Sequence, residues 1–176
     1  MGKFAWDRGL DFEAESRRLL KIIKDRRGGV RNATRGAYAT ALFIQLRNGL
    51  RIREAVEAAV KWARTRERKF LVVAGKSRLE RPVTIPKVLG EEERRLILAY
   101  VADDPEAAVK RIKTWCRRFL GYNTHALRYA FIGYMARRGV AAQLVARITG
   151  HVKLDYILHY TQRVRAEEIL EKINLS

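Results

Sequence analysis

Strand-like sequence occurs only once in this chain, and that limits the possible folds more than any other feature of its 176 residues. Lys69-Phe70-Leu71-Val72-Val73 and Pro82-Val83-Thr84-Ile85 are short runs rich in β-branched residues on either side of a polar turn, the pattern of a hairpin. Elsewhere the apolar residues recur with helical spacing. One hairpin among helices predicts a mostly α fold with a small antiparallel β-sheet, an α+β class. A chain of 176 residues can bury one good core but not two ordinary ones, so a single domain over 1–176 is expected.

The helices can be placed in order. Between Asp11 and Arg27, the residues Phe12, Leu19, Leu20, Ile22 and Ile23 form one stripe inside a strongly basic helix. Gly28-Gly29 stops it. A second helix is expected after Asn32 and Thr34, running to Asn48-Gly49, and a third from Ile52 to about Val60. Glu91–Ala102 and Asp104–Leu120 read as two helices divided at Asp103-Asp104-Pro105, because proline favours a first helical turn. Helices over 124–138 and 141–149 follow, broken at Gly139. A short helix carrying Tyr156 and Tyr160 is expected next, then a separate one from Arg165 to Asn174 with Ile169, Leu170 and Ile173 in a stripe.

Charge points to the partner. With 37 Lys+Arg against 19 Asp+Glu the net charge is +18 and the isoelectric point about 10.7, which favours a polyanionic partner, a nucleic acid above all. Eight basic residues fall between Arg17 and Arg35. Of these, Arg17, Arg18, Lys21, Lys24, Arg31 and Arg35, together with Arg78 in the hairpin turn, are candidate phosphate contacts that would position DNA without reading its sequence. Cys116 stands alone, which excludes an internal disulfide and suggests core packing. Three histidines and one cysteine make a poor zinc set, so no metal is expected. No apolar run approaches the ~20 residues of a membrane span, and Met-Gly-Lys-Phe-Ala-Trp-Asp lacks the apolar core of a signal peptide. A soluble, cytoplasmic, DNA-associated protein is the expectation.

The chemistry-bearing residues concentrate between Gly121 and Gln162. Asn123 and Thr124 are potential helix caps, and behind them His125 and Arg128 are spaced to project together from a first turn, a pairing that suits an anion. Thr149-Gly150 then delivers His151, and Tyr160 comes nine residues later with Tyr156 one turn before it. Alone, H-x-x-R is more often a solvated helix start, and a lone tyrosine a half-buried core residue. In this order they resemble the catalytic domain of the tyrosine recombinases, the phage integrase and Xer-like family. That signature runs H-x-x-R, a leucine-rich helix ending in G-H, then Y. Upstream, Asn48-Gly49-Leu50-Arg51-Ile52-Arg53-Glu54 is similar to the family's G-L-R-x-x-E, and Gly75 to Pro86 to its G-K-x-x-x-x-R-x-V-P hairpin. The likeness runs from roughly Ala33 to the C-terminus.

This resemblance implies a DNA strand transferase, a site-specific recombinase or integrase, with Arg51, Lys76, His125, Arg128, His151 and Tyr160 as its catalytic residues. Tyr160 would attack the scissile phosphate and leave a 3′-phosphotyrosine, while Arg51 and Arg128 clamp non-bridging oxygens. His125 would accept the tyrosine proton or orient the phosphate, His151 would hydrogen-bond a phosphate oxygen, and Lys76 would protonate the leaving 5′-oxygen. Neither metal nor nucleotide is required. Residues 1–32 would be a basic helical part, 33–162 the catalytic core and 163–176 a C-terminal helix. That last helix resembles an element that docks on a neighbouring protomer, making a dimer or tetramer on DNA, although packing on its own domain is nearly as good a reading. The sequence departs from the family in two places. Tyr129 follows Arg128 where many members carry histidine, and no DNA-clamping domain is expected before Asp11, so the chain is either a fragment of a larger integrase or a minimal enzyme. Type IB topoisomerase-like relaxation and a non-catalytic DNA-binding relative are the alternatives.

Overall fold

The computed structural model describes residues 9–25, 29–73, 80–151 and 154–174, with side chains described for only part of the last segment. Its elements are α1 (Phe12–Lys24), α2 (Gly29–Asn48), α3 (Ile52–Thr65), β1 (Lys69–Val73), β2 (Glu80–Thr84), α4 (Glu91–Tyr100), α5 (Pro105–Trp115), a π-helical turn (Cys116–Leu120), α6 (His125–Arg137), α7 (Ala142–Thr149) and α8 (Leu154–Asn174). The mostly helical fold with one small antiparallel sheet is as expected. None of the described helices is long and apolar enough to cross a membrane.

At the centre lies α2. Every residue from Gly36 to Leu46 is buried, and a helix covered on all sides must be an inner one. Ala37, Ala39 and Ala41 leave room for α1, α3, α4 and α6 to pack around it. On α1, Asp11 caps the first turn by accepting from the Ala14 amide at 2.7 Å. Phe12, Leu19 and Ile23 are buried, with Leu20 and Ile22 partly so. Pro105 opens α5 behind the Asp104 cap, as read from the sequence. Cys116 is buried, and loss of water pushes its thiol up to about 12, in keeping with a packing role.

β1 and β2 pair from Lys69 opposite Thr84 to Val73 opposite Glu80. Asn48, the last residue of α2, holds this ribbon to the helical layer. Its side chain donates to the Thr84 carbonyl at 3.1 Å and accepts from the Thr84 amide at 2.9 Å, so it stands in for a missing strand neighbour.

Three helix boundaries differ from the sequence reading. α2 begins at Gly29 and not after Thr34, because the Thr34 hydroxyl bonds back to the Val30 carbonyl at 3.0 Å and sits inside the helix instead of capping it. α3 runs on to Thr65. The two expected C-terminal helices are one, α8, since Thr161 to Ala166 contains no glycine or proline to part them.

Candidate functional site

Two helix ends of the same design build the site. α2 terminates at Gly49, with φ at +61°, and the Leu50 amide reaches back to the Gln45 carbonyl at 3.1 Å. α7 terminates at Gly150, with φ at +68°, and the His151 amide reaches back to the Ala146 carbonyl at 3.0 Å. Both are left-handed glycine caps of the Schellman kind. One turns the chain toward Arg51, the other toward His151. Gly49 is constrained twice over, because a Cβ there would lie 2.5 Å from the Phe131 ring.

His125 and Arg128 enter from α6. The Asn123 side chain, not that of Thr124, caps this helix, accepting from the amides of His125 at 3.0 Å and Ala126 at 3.2 Å. Buried Gln45 couples this end to the Arg51 turn, donating to the carbonyls of Leu50 at 3.2 Å and Thr124 at 2.9 Å. The sequence reading placed Gln45 in a helix and gave it no part in the site.

Glu54 is the carboxylate of the cluster. It is 3% exposed, accepts from the Arg51 amide at 2.7 Å and pairs with the Arg51 guanidinium at 3.2 Å, so it both caps α3 and orients Arg51. It also pairs closely with Arg81, a fully buried arginine on β2. Arg81 donates to the carbonyls of Thr149 and Ile148 at the end of α7, and so ties the Arg51 turn, the hairpin and the His151 turn together. Sequence reasoning included Arg81 in the hairpin motif and assigned it no role. A signal was available: Arg81 is in phase with Val83 and Ile85, so it belongs to the inward face of β2, where an arginine needs a buried partner.

Arg128 is 1% exposed and donates to the Gly49 carbonyl at 2.8 Å. Its other terminal nitrogen meets the His151 ring, 3.1 Å from Nδ1 and 3.2 Å from Nε2. The Thr149 hydroxyl gives its proton to the Val145 carbonyl at 2.7 Å, which leaves it to accept from His151 Nδ1, also at 2.7 Å. Nδ1 therefore carries the ring proton, and the Nε2 lone pair faces Arg128. His125 sits edge-on to Tyr129, with ring centroids 5.4 Å apart.

The pKa shifts reflect one shared cause. Burial, then the charges of Arg128 and Arg51, hold His151 down to about 3. The same three influences lower His125. Burial first, then Arg51 and Arg81, bring Arg128 down to about 9, still charged at neutral pH. Arg51, Arg81 and Arg128 thus surround a single carboxylate with two neutral imidazoles among them, an excess of positive charge that an entering anion relieves.

Of the six residues expected to be catalytic, the structure brings Arg51, His125, Arg128 and His151 together. Tyr160 lies on α8, with its side chain outside the description. Lys76 and Arg78 lie outside the described residues. Among the expected DNA contacts, Arg17, Lys21 and Arg31 are exposed. Arg18 donates to the Leu120 carbonyl at 3.3 Å and Lys24 pairs with Glu93 at 2.8 Å, while Arg35 lies 5.0 Å from the centre of the Phe119 ring. Arg53 is a surface charge paired with Glu106.

Over 171 residues, 97% of this chain and 70% of the other, the sequence is 36% identical to a protein of Acidianus two-tailed virus named "Putative integrase ORF241". This chain belongs to that protein's family. A second member, "Uncharacterized protein MJ0770" of Methanocaldococcus jannaschii, is 30% identical over 201 aligned positions, covering 96% of this chain and 88% of that protein. No family model and no solved structure matches.

Proposed function

We propose that the chain is a DNA strand transferase of the tyrosine recombinase type, a site-specific recombinase or integrase that cuts and rejoins double-stranded DNA through a 3′-phosphotyrosine. The supporting observation is that Arg51 and Arg81 share one carboxylate while Arg128, close enough to feel both charges, has none of its own among the described residues, with two imidazoles kept neutral beside them. A scissile phosphate supplies the missing negative charge, and its phosphorane supplies more in the transition state, where preorganised donors act most strongly.

In this reading Tyr160 Oη attacks phosphorus, the P–O5′ bond breaks and the P–Oη bond forms. Half-exposed Arg51 and the inner Arg128 hold the non-bridging oxygens. His125, lowered by burial and by the charges of Arg128 and Arg51, accepts the tyrosine proton. As the negative charge of the phosphate enters, His151 takes up a proton at Nε2 and turns that N–H from Arg128 to a phosphate oxygen, and Lys76 protonates the departing 5′-oxygen. The phosphotyrosine keeps the phosphodiester's energy for religation, so no nucleotide is consumed. Residues 1–176 act as one catalytic domain in the cytoplasm, and the exposed stripe of α8 joins protomers into a dimer or tetramer on DNA.

A pool of nicked random-sequence duplexes tests the proposal. A protein–DNA adduct that survives detergent is expected, with the DNA attached to Tyr160. Tyr160→Phe should abolish it, and Arg128→Ala should reduce it by about 10²–10³-fold, the cost of one transition-state donor. Attachment at Tyr156 reassigns the nucleophile. An adduct that neither Tyr160→Phe nor Tyr156→Phe diminishes, or no adduct at all, defeats the proposal.

A further inference from the structure

From Lys110 to Phe119 the chain carries five basic residues and no acidic one, and none of them belongs to the arginine cluster. α5 ends here in the π-helical turn, a widening frequent at functional sites. Within that turn Phe119 is 55% exposed. Its ring lies 6.1 Å from that of Trp115, tilted by 31°. Trp115 is buried, and its indole N–H has no acceptor among the described residues.

Two clefts flank this aromatic pair. The smaller, about 180 Å³, is lined by Asp25 as well as Arg18 and Arg35, so a carboxylate opposes any phosphate there. Arg35 already lies over the Phe119 ring. The larger, about 360 Å³, is lined by Lys110, Arg111, Thr114, Trp115, Arg118 and Phe119, with no carboxylate among them. That volume falls within the range of small-molecule sites. Arg111, Trp115 and Arg118 recur at helical spacing, which sets cations on both sides of the aromatic floor.

Cations suffice for the phosphates of a duplex, so they do not account for the exposed ring. A duplex keeps its bases stacked and offers only phosphates and groove edges. An unpaired base offers its face, and aromatic platforms ringed by cations bind such bases with little regard to sequence.

We propose that this cleft holds an unpaired nucleotide of a DNA strand, its base stacked on Phe119 and its flanking phosphates on Lys110, Arg111 and Arg118. This inference rests on DNA being the partner and not on strand cleavage.

Fluorescence anisotropy of the full chain tests it with three labelled DNAs of one length: a single strand, a blunt duplex, and a duplex with a two-nucleotide mismatch bubble. The parent should bind all three, the bubble more tightly than the blunt duplex. Phe119→Ala should weaken binding to the single strand and the bubble by about tenfold, the scale of one lost base–aromatic stack, and leave the blunt duplex within about twofold. Phe119→Trp should retain parental affinity, which separates stacking from a general disturbance. Equal losses on all three DNAs, or no loss on any, overturn the proposal. So does competition by polyglutamate as effective as competition by unlabelled single strand, which would make the occupant an acidic polypeptide. If the parent binds none of the three DNAs, DNA as partner fails as well, whereas failure of the Phe119 test alone leaves the phosphotyrosine reading intact.

Discussion

Around Glu54, Arg81 is held by a carboxylate and two carbonyls, Arg128 by a carbonyl and an imidazole, and Arg51 by the Glu54 carboxylate. On the last turns of α8 the side chains of Ile169, Leu170 and Ile173 are 54%, 59% and 65% exposed. Near the start of that helix Ile157 is buried against the core, and α8 packs on α6 and α7. The fold thus holds its charged cluster with several elements, and leaves apolar side chains exposed on the helix that carries Tyr160. The first region carries an excess of positive charge, whereas the second presents apolar side chains to solvent.

The strongest way to break the cluster is to remove its one carboxylate. Glu54→Ala leaves Arg81 buried without a counter-charge, which costs about 3–5 kcal/mol, and the midpoint of urea unfolding should fall accordingly. Adding Arg81→Met should recover part of that loss, since an apolar side chain of similar length does not demand a partner. A single-variant loss below about 1 kcal/mol would show that Glu54 does not hold these elements together.

Gly49→Ala attacks the turn itself. The left-handed backbone costs an alanine about 1–2 kcal/mol, and the 2.5 Å approach to Phe131 adds overpacking of about 1 kcal/mol or more. Thermal unfolding should report the sum. Phe131→Leu in the same chain should return the overpacking part only, so full recovery would mean that the backbone is unstrained at this position.

How much of this was legible in the sequence follows from how far each feature reaches along the chain. The caps at Gly49 and Gly150, the H-x-x-R pair and the hairpin strands are local patterns, and each formed near its expected place. Arg81 and Gln45 act across the fold, Gln45 reaching Thr124 and Arg81 reaching Thr149, and no spacing rule encodes such partners. Only the inward phase of Arg81 on β2 pointed to one. Thr34 misled because a hydroxyl caps a helix or bonds back within it, and the choice depends on packing farther along. The continuity of α8 was missed for the opposite reason: two separate functions suggested two helices where the backbone had no break.

A milder test of the cluster uses pH. The folded state holds His151 down to about 3 and lowers His125, against an ordinary value near ~6.5 in the unfolded chain. Between those values the unfolded chain binds more protons, so stability is present above about pH 6.5 and is lost as pH falls toward 3. His151→Gln keeps an amide of similar reach but cannot titrate. Its unfolding free energy should drop less than the parent's between pH 7 and pH 5, by about 2 kcal/mol. Parallel pH profiles would mean that the imidazole is not desolvated in solution.

The smallest expected effect on stability tests the other half of the comparison. Replacing Ile169, Leu170 and Ile173 together by glutamine keeps helix propensity close to that of the parent residues and removes side chains that are already in water. Monomer stability should therefore change by no more than about 0.5 kcal/mol. If the stripe instead packs back on its own domain in solution, each residue contributes about 1.5–3 kcal/mol of burial, and the triple variant should lose several times the predicted amount in thermal unfolding. Sedimentation with and without duplex DNA supplies the positive half of the test. The parent should gain protomers on DNA, and the triple variant should stay at one protomer per DNA with its folding unchanged. A variant that still assembles like the parent would mean that protomers meet elsewhere, and that α8 is simply a solvent-exposed helix end.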